Sequence, residues 1–372
     1  MDRKELSALL ALRQIPGIGS ITAKRLVESV GCASAIFERR TELPLIIPHI
    51  QPSLVSALGH PIAFQHIEKE LEFIEKHNIT CIGYHDENYP SRLRECDDAP
   101  VLLFYKGNAI LNPRKVVSIV GTRKCTDYGR DMCERFVRDL ASQCPDTLIV
   151  SGLAYGIDVC AHRAALKYGL PTIGVVAHGL DRIYPYAHRH TATEMVHCGG
   201  LLTEYTSSTE PERQNFLQRN RIVAGMADAT IIVESGDKGG AIVTAAIVSS
   251  YGRDCYAFPG RADDSSSAGC NRLIRQNRAG LITSAEDFIE AMSWDIPQGK
   301  SKEAIQGSLF TDLSPEEALI AHSLENNPDG LNINTLVAQT GIPVNKLSAQ
   351  LFELELRGIV RPLAGGCYRI IR

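Results

Sequence analysis

The sequence has no long hydrophobic run, since no window approaches the roughly 18 uninterrupted apolar residues that a membrane-spanning helix needs. It also has no Cys-x-x-Cys pair and no short Cys/His cluster, because its 11 cysteines are scattered singly from Cys32 to Cys367. We therefore expect reduced thiols, with neither a disulfide framework nor a zinc site. Positive charge is not in excess: 39 Lys and Arg face 43 Asp and Glu, a net charge of −4. This balance excludes a uniformly basic surface, so any nucleic-acid site must be local.

The first residues, Met1 to Ala11, are charged from the second position onward and contain no apolar segment followed by small residues. This pattern predicts no secretory signal and a cytoplasmic location. The chain has 372 residues, of which 44% are hydrophobic and 22% charged. That composition is typical of folded proteins, and the length allows two or three domains with cores of their own.

Apolar spacing divides the chain into three regions joined by one linker. Residues 1–61 have a helical pattern, residues 62–295 alternate strands with helices, residues 296–310 are polar and aperiodic, and residues 311–372 return to helices followed by a hairpin. The second region predicts a doubly wound α/β sheet, and the last predicts a winged helix-turn-helix. Strands are predicted at 116–120, 147–151, 172–177, 200–204, 230–234 and 254–258.

The N-terminal region contains Pro16-Gly17-Ile18-Gly19, which is typical of a helix-hairpin-helix turn. Two glycines permit a tight turn, and the free N–H groups of the following helix can face a phosphate, with Lys24 and Arg25 nearby. The same residues also serve a purely structural pair of helices, so both interpretations stay open. A weaker second copy that begins at Pro48 has lost the glycines and is expected only to pack.

Glycine-rich loops follow three of the predicted strands. In an open α/β sheet, ligands bind at the carboxyl ends of the strands, where backbone N–H groups and nearby cations can hold a phosphate. No loop matches G-x-G-x-x-G, so we expect no nicotinamide cofactor. The expected phosphate-binding residues are Gly121, Thr122 and Arg123 after the first strand, Ser151 and Gly152 after the second, and Lys238, Gly239 and Gly240 after the fifth.

The segment from Pro211 to Gly225 places three arginines and an asparagine around one phenylalanine. Arginine binds phosphate oxygens and an exposed ring stacks on an unpaired base, so this composition predicts a single-strand-binding surface. The alternative is that the ring is buried and the arginines pair with Glu204 or Glu234. The expected contacts here are Arg213, Phe216, Arg219, Asn220 and Arg221.

Two further patterns of residues could have either a structural or a functional role. Asp158 and His162 lie four apart on a predicted helix, as either a helix-stabilising pair or a catalytic pair. His188 and His190 have no third candidate ligand at a spacing typical of metal sites, so we expect no bound metal.

Several motifs occur in the order found in the DNA-processing protein A family, also called Smf, and the chain resembles that family over nearly its whole length. The motifs are Val120-Gly121-Thr122-Arg123, Ser-Gly-x-Ala-x-Gly-Ile-Asp from Ser151, Gly179-Leu180-Asp181 with Tyr184-Pro185, Phe216-x-x-Arg219-Asn220-Arg221, Gly239-Gly240, and Pro259-Gly260. The resemblance implies an extended Rossmann-like core between an N-terminal helix-hairpin-helix domain and a C-terminal winged helix.

The family's role, carried over as an expectation, is non-enzymatic. It implies a homodimer that binds single-stranded DNA and loads the RecA recombinase onto it during natural transformation, displacing or working alongside single-strand-binding protein. Thr122 and Arg123 would hold a phosphate, Phe216 would stack on a base, and Arg213, Asn220 and the Lys238 loop would add contacts. Tyr186 and His188 depart from the family's pattern, in which lysine and asparagine are frequent at these two positions.

Two other functions fit parts of the sequence. A nucleotide phosphoribohydrolase with a similar core would need an acid or base from Asp158, His162 or Glu234. A winged-helix regulator that senses a small ligand would bind one duplex sequence. The predicted recognition helix does not favour the regulator. It carries Lys346 and Arg357 but also Glu353 and Glu355. Its face is therefore nearly neutral and better suited to a protein partner or to packing than to DNA.

Overall fold

A computed structural model describes residues 1–60, 64, 66–294, 313–325, 327, 330–357, 359–363 and 366–370. The chain divides into two compact units, Met1–Pro297 and Gln298–Arg372. The whole predicted linker, 296–310, lies outside these described residues, as does residue 295 before it. None of the described helices is long and apolar enough to cross a membrane.

The first unit begins with six helices. They are α1 (Arg3–Gln14), α2 (Ser20–Val30), α3 (Ala33–Glu38), α4 (Leu43–Ile46), α5 (Pro52–Ala57) and α6 (Ile67–Lys76). Gly17, with a φ of 86°, makes the turn between α1 and α2, a left-handed conformation that glycine adopts without strain. Apolar residues of α1 and α2 belong to the same hydrophobic core as the sheet, so these helices pack on the α/β region.

The nine-stranded sheet follows. Its strands are β1 (Thr80–Gly83), β2 (Leu102–Gly107), β3 (Val116–Val120), β4 (Leu148–Ser151), β5 (Thr172–Val175), β6 (Gly199–Thr203), β7 (Ala229–Ile232), β8 (Asp254–Ala257) and β9 (Gly280–Leu281). The helices between and after them are α7 (Ser91–Arg94), α8 (Asp127–Gln143), α9 (Ile157–Tyr168), α10 (Arg189–Cys198), α11 (Arg213–Gly225), α12 (Gly240–Ser250), α13 (Ala268–Arg275) and α14 (Ala285–Ala291).

The strand order is β1-β2-β6-β5-β4-β3-β7-β8-β9. β2 pairs antiparallel with both of its neighbours, β1 and β6, and every other pairing in this sheet is parallel. The chain runs outward from β3 to β6 and then returns to the other side of β3 with β7, so the strand order reverses beside β3. Side chains of β3 point alternately into two cores, Val116 and Val120 into one and Val117 and Ile119 into the other. This burial on both faces explains the continuous apolar run of β3.

All six predicted strands are present, with small shifts at their ends. The sequence did not predict β1, β2 or β9, which lie towards the two edges of the sheet.

The second unit has three helices and a small antiparallel sheet in the order β10-β12-β11. Its elements are α15 (Pro315–Glu325), β10 (Leu331–Asn332), α16 (Ile333–Thr340), α17 (Val344–Leu356), β11 (Val360–Leu363) and β12 (Cys367–Ile370). Leu347, Leu351 and Leu354 of α17 are buried in its core. Val344, the first residue of α17, is exposed. The arrangement is a winged helix, as predicted.

Candidate nucleic-acid interface

An open cavity of about 360 Å³ lies where the strand order reverses, at the carboxyl ends of β3 and β4. Crevices at this position are the usual ligand sites of doubly wound sheets. Eight of the predicted site residues line it: Gly121, Thr122, Arg123, Phe216, Arg219, Asn220, Gly239 and Gly240. The remaining lining residues are Val120, Ala154, Asp158, Leu217, Ala241 and Thr244.

The loop after β3 is fixed at its base and open at its tip. A Cβ on Gly121 would lie 2.4 Å from Cγ1 of Ile157, so only glycine fits there without movement of the chain. The N–H of Thr122 donates to the Glu234 carbonyl at 2.7 Å, and the Thr122 carbonyl accepts from Ile157 N–H at 3.2 Å. Arg123 is exposed, and none of the ion pairs found among the described residues involves it. Its guanidinium is therefore available to a ligand.

Helix α11 presents Phe216, Arg219 and Asn220 on one face, because residues three and four apart lie on the same side of a helix. Phe216 is half-buried. Its ring centroid is 5.2 Å from Cζ of Arg123 and 5.8 Å from Cζ of Arg219, both within the range of cation–π contact. The ring thus contacts one exposed guanidinium and one buried guanidinium.

Arg219 forms the floor of the cavity. It is 3% exposed, and its Nη1 donates to the carbonyls of Gly152, at 2.6 Å, and Val175. Burial lowers the pKa of this guanidinium, an effect that Asp158 opposes. Burial likewise raises the pKa of Asp158, and Arg219 opposes that shift. The two buried groups therefore stabilise each other's charged forms, and with Arg123 the arginines outnumber the carboxylate.

The amino end of α12 completes the cavity wall. Gly239 precedes the first turn, and no side chain caps it. A Cβ on Gly240 would meet nothing within 4 Å, so this surface is open. The unpaired N–H groups of a helix start, together with its dipole, attract anions. Backbone donors, two arginines and a ring therefore converge on one cavity, which suits a phosphate beside a base.

Two residues predicted to contact the ligand, Ser151 and Gly152, are buried and do not line the cavity. The Ser151 hydroxyl donates to the Ile119 carbonyl at 2.5 Å, so it belongs to the sheet. Gly152 is buried, and its N–H donates to Oδ2 of Asp158 at 3.2 Å, so it supports the cavity from beneath. These positions do not support direct contact of Ser151 or Gly152 with a nucleic acid.

Arg221 is the clearest correction. Its Nη2 donates to both carboxylate oxygens of Glu204, at 2.8 and 2.7 Å, and to the Ser20 hydroxyl at 2.9 Å. The alternative that an arginine pairs with Glu204 is thus what the structure shows for this residue. The physical reason is helix geometry: two residues along α11 turn the side chain by about 200° relative to Arg219.

Arg213 and Lys238 are exposed but do not line the cavity. Arg213 is the first residue of α11, and Lys238 lies in the loop that precedes α12. Both can reach a ligand only outside the cavity.

Of the three groups that an enzyme could use, Asp158 lines the cavity, whereas His162 and Glu234 are held in structural bonds. His162 is fully buried: its Nε2 accepts from Leu153 N–H at 3.3 Å, so its Nδ1–H donates to the Thr172 hydroxyl at 2.7 Å. Burial lowers its pKa to about 3. Glu234 does not line the cavity, and its carboxylate accepts from Thr126 N–H at 2.8 Å and Thr126 Oγ1 at 2.6 Å. Neither side chain is exposed to a substrate.

The two histidines considered as metal ligands, His188 and His190, differ in exposure. His188 is buried and donates through Nδ1 to the Leu153 carbonyl at 2.8 Å, whereas His190 is exposed. Within the described ranges, no three His, Cys, Asp or Glu side chains cluster as metal ligands.

In the N-terminal hairpin, Gly17, Gly19 and Arg25 are exposed, whereas Lys24 is bound within the protein. Lys24 donates to the carbonyls of Arg94, at 3.3 Å, and Cys96, at 2.8 Å. The start of α2 lines a separate cavity of about 550 Å³ together with Arg13, Glu204 and Arg221. Of the two interpretations of the hairpin, these contacts favour the structural one.

The sequence missed some lining residues. Leu217 is exposed beside Phe216, and Thr244 lies one helical turn after Gly240. The four-residue spacing from Gly240 could have indicated Thr244, whereas no local signal distinguishes Leu217 from a core leucine.

Comparisons with known proteins agree with this architecture. The family model described as DNA recombination-mediator protein A matches residues 80–293, and the DprA winged helix domain matches residues 311–366. DNA processing protein DprA of Streptococcus pneumoniae is 38% identical over 60% of this chain and 76% of its own length.

Two solved structures are also similar. DprA from Streptococcus pneumoniae has a TM-score of 0.58 at 32% identity, covering 74% of this chain and 98% of that one. DNA processing protein A from Helicobacter pylori, solved for its single-stranded DNA binding mode, has a TM-score of 0.53 at 30% identity, covering 59% and 97%. With matches to both domains in the family's order, the chain belongs to the DNA recombination-mediator protein A family, whose members are named DprA or Smf.

Proposed function

We propose that this protein binds single-stranded DNA in the cavity at the ends of β3 and β4. One observation carries the proposal: the Phe216 ring lies within cation–π distance of the guanidinium groups of both Arg123 and Arg219 in an open cavity. A base stacks on the ring while Arg123, Thr122 and the first N–H groups of α12 bind the adjacent phosphates. Asn220 lines the same wall and contacts the base or sugar.

Contacts outside the cavity extend this site. Arg213 and Lys238 are exposed on the elements that bring Phe216 and Gly240 to the cavity. We assign them phosphates of the neighbouring nucleotides. Ser151, Gly152 and Arg221 have no direct contact in this proposal because their polar groups bind within the protein.

We further propose that the protein acts without chemical change to the DNA. As a homodimer in the cytoplasm, it loads the RecA recombinase onto the bound strand, alongside or in place of single-strand-binding protein, in the recombination that follows DNA uptake. The family description as a recombination mediator and the ssDNA-binding mode reported for the Helicobacter pylori protein support this role.

Fluorescence anisotropy with labelled oligo-dT tests the binding site. Arg123→Ala should weaken binding about tenfold or more, because it removes a cation from both the ring and a phosphate. It should also reduce the slope of log affinity against log salt by about 0.7, the contribution of one phosphate contact on a single strand. An Arg123→Ala protein that binds as the wild type does, with the same salt slope, would contradict the proposal.

The matched control is Arg138→Ala. Arg138 is also a surface arginine, but it pairs with Asp139 at 2.8 Å near the far end of α8. Its removal should leave affinity and salt slope unchanged.

Loading is tested separately, by the rate of RecA filament assembly on DNA coated with single-strand-binding protein. The wild-type chain should shorten the lag, and Arg123→Ala should not. If the lag stays the same while oligo-dT binding is intact, DNA binding stands and the loading role fails.

A further inference from the structure

Two exposed tyrosines, Tyr184 and Tyr155, adjoin residues of the cavity, and a third, Tyr186, follows two residues after Tyr184. Tyr155 is 48% exposed, Tyr184 46% and Tyr186 72%. We call these three side chains the tyrosine ledge. The Tyr184 ring centroid is 5.8 Å from that of Phe216, with the planes tilted by 55°, and Tyr155 directly follows Ala154 of the cavity lining. The ledge therefore continues the aromatic surface of the cavity outward.

Two buried imidazoles fix the backbone beneath the ledge. Nε2 of His178 accepts from Tyr184 N–H at 3.2 Å, while its Nδ1–H donates to the Gly179 carbonyl at 2.8 Å. The His188 ring packs edge-on against Tyr155, with centroids 4.9 Å apart and planes at 70°. The imidazoles thus support the Tyr184 backbone and the Tyr155 ring in the absence of a ligand, and order that is present before binding lowers the entropy cost of stacking.

A positive charge lies beside Tyr186. Cζ of Arg189 lies 5.8 Å from the Tyr186 ring centroid, and Nη1 donates to the Tyr186 hydroxyl at 3.2 Å. The carboxylates of the same loop region, Asp181 and Glu210, are bound to Arg182. A surface of rings with a guanidinium at its end suits a chain of bases and phosphates better than an acidic or aliphatic protein segment.

We propose that the tyrosine ledge is a second base-stacking surface, onto which a single strand continues after the base that stacks on Phe216. The next bases stack on Tyr184 and then on Tyr186 or Tyr155, and Arg189 binds a phosphate. This inference rests on the proposed single-stranded DNA binding in the cavity. It implies that the ledge contributes affinity only for strands longer than the cavity alone accommodates.

Competition anisotropy with the full chain tests this with two ligands. The longer strand is oligo-dT of about 15 nucleotides, and thymidine 5′-phosphate, whose single base reaches only Phe216, serves as the shorter one. The variant Tyr184→Ala/Tyr186→Ala should bind the longer strand at least about fivefold more weakly, since each stacked base contributes substantially to affinity. Binding of thymidine 5′-phosphate should not change. The matched control Tyr184→Phe/Tyr186→Phe keeps both rings and should stay within about twofold of wild type.

Tyr155→Ala, alone, should also weaken binding of the longer strand only. Melting curves for every variant verify that the fold is retained, and exposure of all three rings makes that the expected result.

Each other outcome has a distinct meaning. If the alanine variants bind the longer strand as the wild type does, the tyrosine ledge is not a base-stacking surface. A protein partner would then be the alternative ligand of this surface. Equal losses in the alanine and phenylalanine variants show that the hydroxyls, not the rings, matter, and also overturn the proposal. Failure of the wild-type protein to bind either ligand instead contradicts the proposed function itself.

Discussion

The guanidinium of Arg219 fills the space that a side chain on Gly152 would need. Nη1 of Arg219 donates to the Gly152 carbonyl at 2.6 Å, and a Cβ on Gly152 would lie 2.5 Å from Nη2. This contact joins the end of β4 to helix α11 and places a positive charge beneath the Phe216 ring. The glycine of the loop after β4 thus acts by admitting an arginine, whereas the sequence suggested that it admits a phosphate.

Gly152→Ala should therefore weaken single-stranded DNA binding severalfold without any direct contact between residue 152 and DNA. The added methyl group displaces Arg219 and disturbs Phe216, and overpacking of this kind costs about 1–3 kcal/mol of stability. Anisotropy and urea denaturation measure the two effects. Gly83→Ala is the control, because a Cβ there meets nothing closer than Sδ of Met1 at 3.4 Å. Unchanged affinity in Gly152→Ala would show that the floor of the cavity does not matter for binding.

The buried His162 predicts a loss of stability in mild acid. Its pKa falls from about 6.5 in the unfolded chain to about 3 in the folded protein, chiefly through burial. Between these values the unfolded chain binds the additional proton, so the free energy of unfolding decreases as pH falls, by up to about 1.4 kcal/mol per pH unit. Above pH 6.5 the group is neutral in both states and contributes no pH dependence.

His162→Gln isolates this effect, because the amide has a donor and an acceptor but does not titrate. We expect a shallower decline of the unfolding free energy between pH 7 and pH 5 than in the wild type, measured by urea denaturation. Burial lowers the pKa of His178 as well, so the comparison between the two proteins, not the wild-type curve alone, reports on His162. Parallel curves would show that His162 is not the buried neutral group that its contacts indicate.

Substitution of Glu234 tests whether this residue has a structural or a catalytic role. Its carboxylate accepts from the backbone N–H and the hydroxyl of Thr126 at the start of α8. Glu234→Ala leaves these donors unpaired and should cost about 1–3 kcal/mol of stability. Its backbone carbonyl, which holds Thr122, remains, so oligo-dT affinity should stay within about twofold. An assay for free base released from nucleoside 5′-monophosphates should be negative for wild type; release that is lost in Glu234→Ala would favour the hydrolase interpretation.

Periodicity and glycine positions predicted the sheet centre well, because central parallel strands such as β3 are buried on both faces and have continuous apolar runs. The edge strands were missed for a physical reason. β9 has only two residues, and β1 has one exposed and one half-buried residue among its four. Their pairing depends on neighbours far away in sequence, which local pattern does not encode.

The cavity was predicted less completely than the sheet. Strand-end position placed Gly121, Thr122 and Arg123 correctly on its wall. In contrast, a helix rich in arginine does not indicate which residue faces the ligand until its buried side is known. Arg219 and Arg221 have different partners near the sheet. Arg219 donates to the Val175 carbonyl, and Arg221 donates to the Glu204 carboxylate.

The buried pair of Arg221 and Glu204 gives the last prediction. Arg221→Met leaves the Glu204 carboxylate buried, with only Arg13 nearby at 3.4 Å, and should cost about 3–5 kcal/mol of stability. The double variant Arg221→Met/Glu204→Met should recover much of that loss, because replacing a whole buried ion pair by apolar groups is often nearly neutral. Since Arg221 binds within the protein, the salt slope of oligo-dT binding should stay at the wild-type value in the double variant. A slope reduced as in Arg123→Ala would instead return Arg221 to the DNA interface.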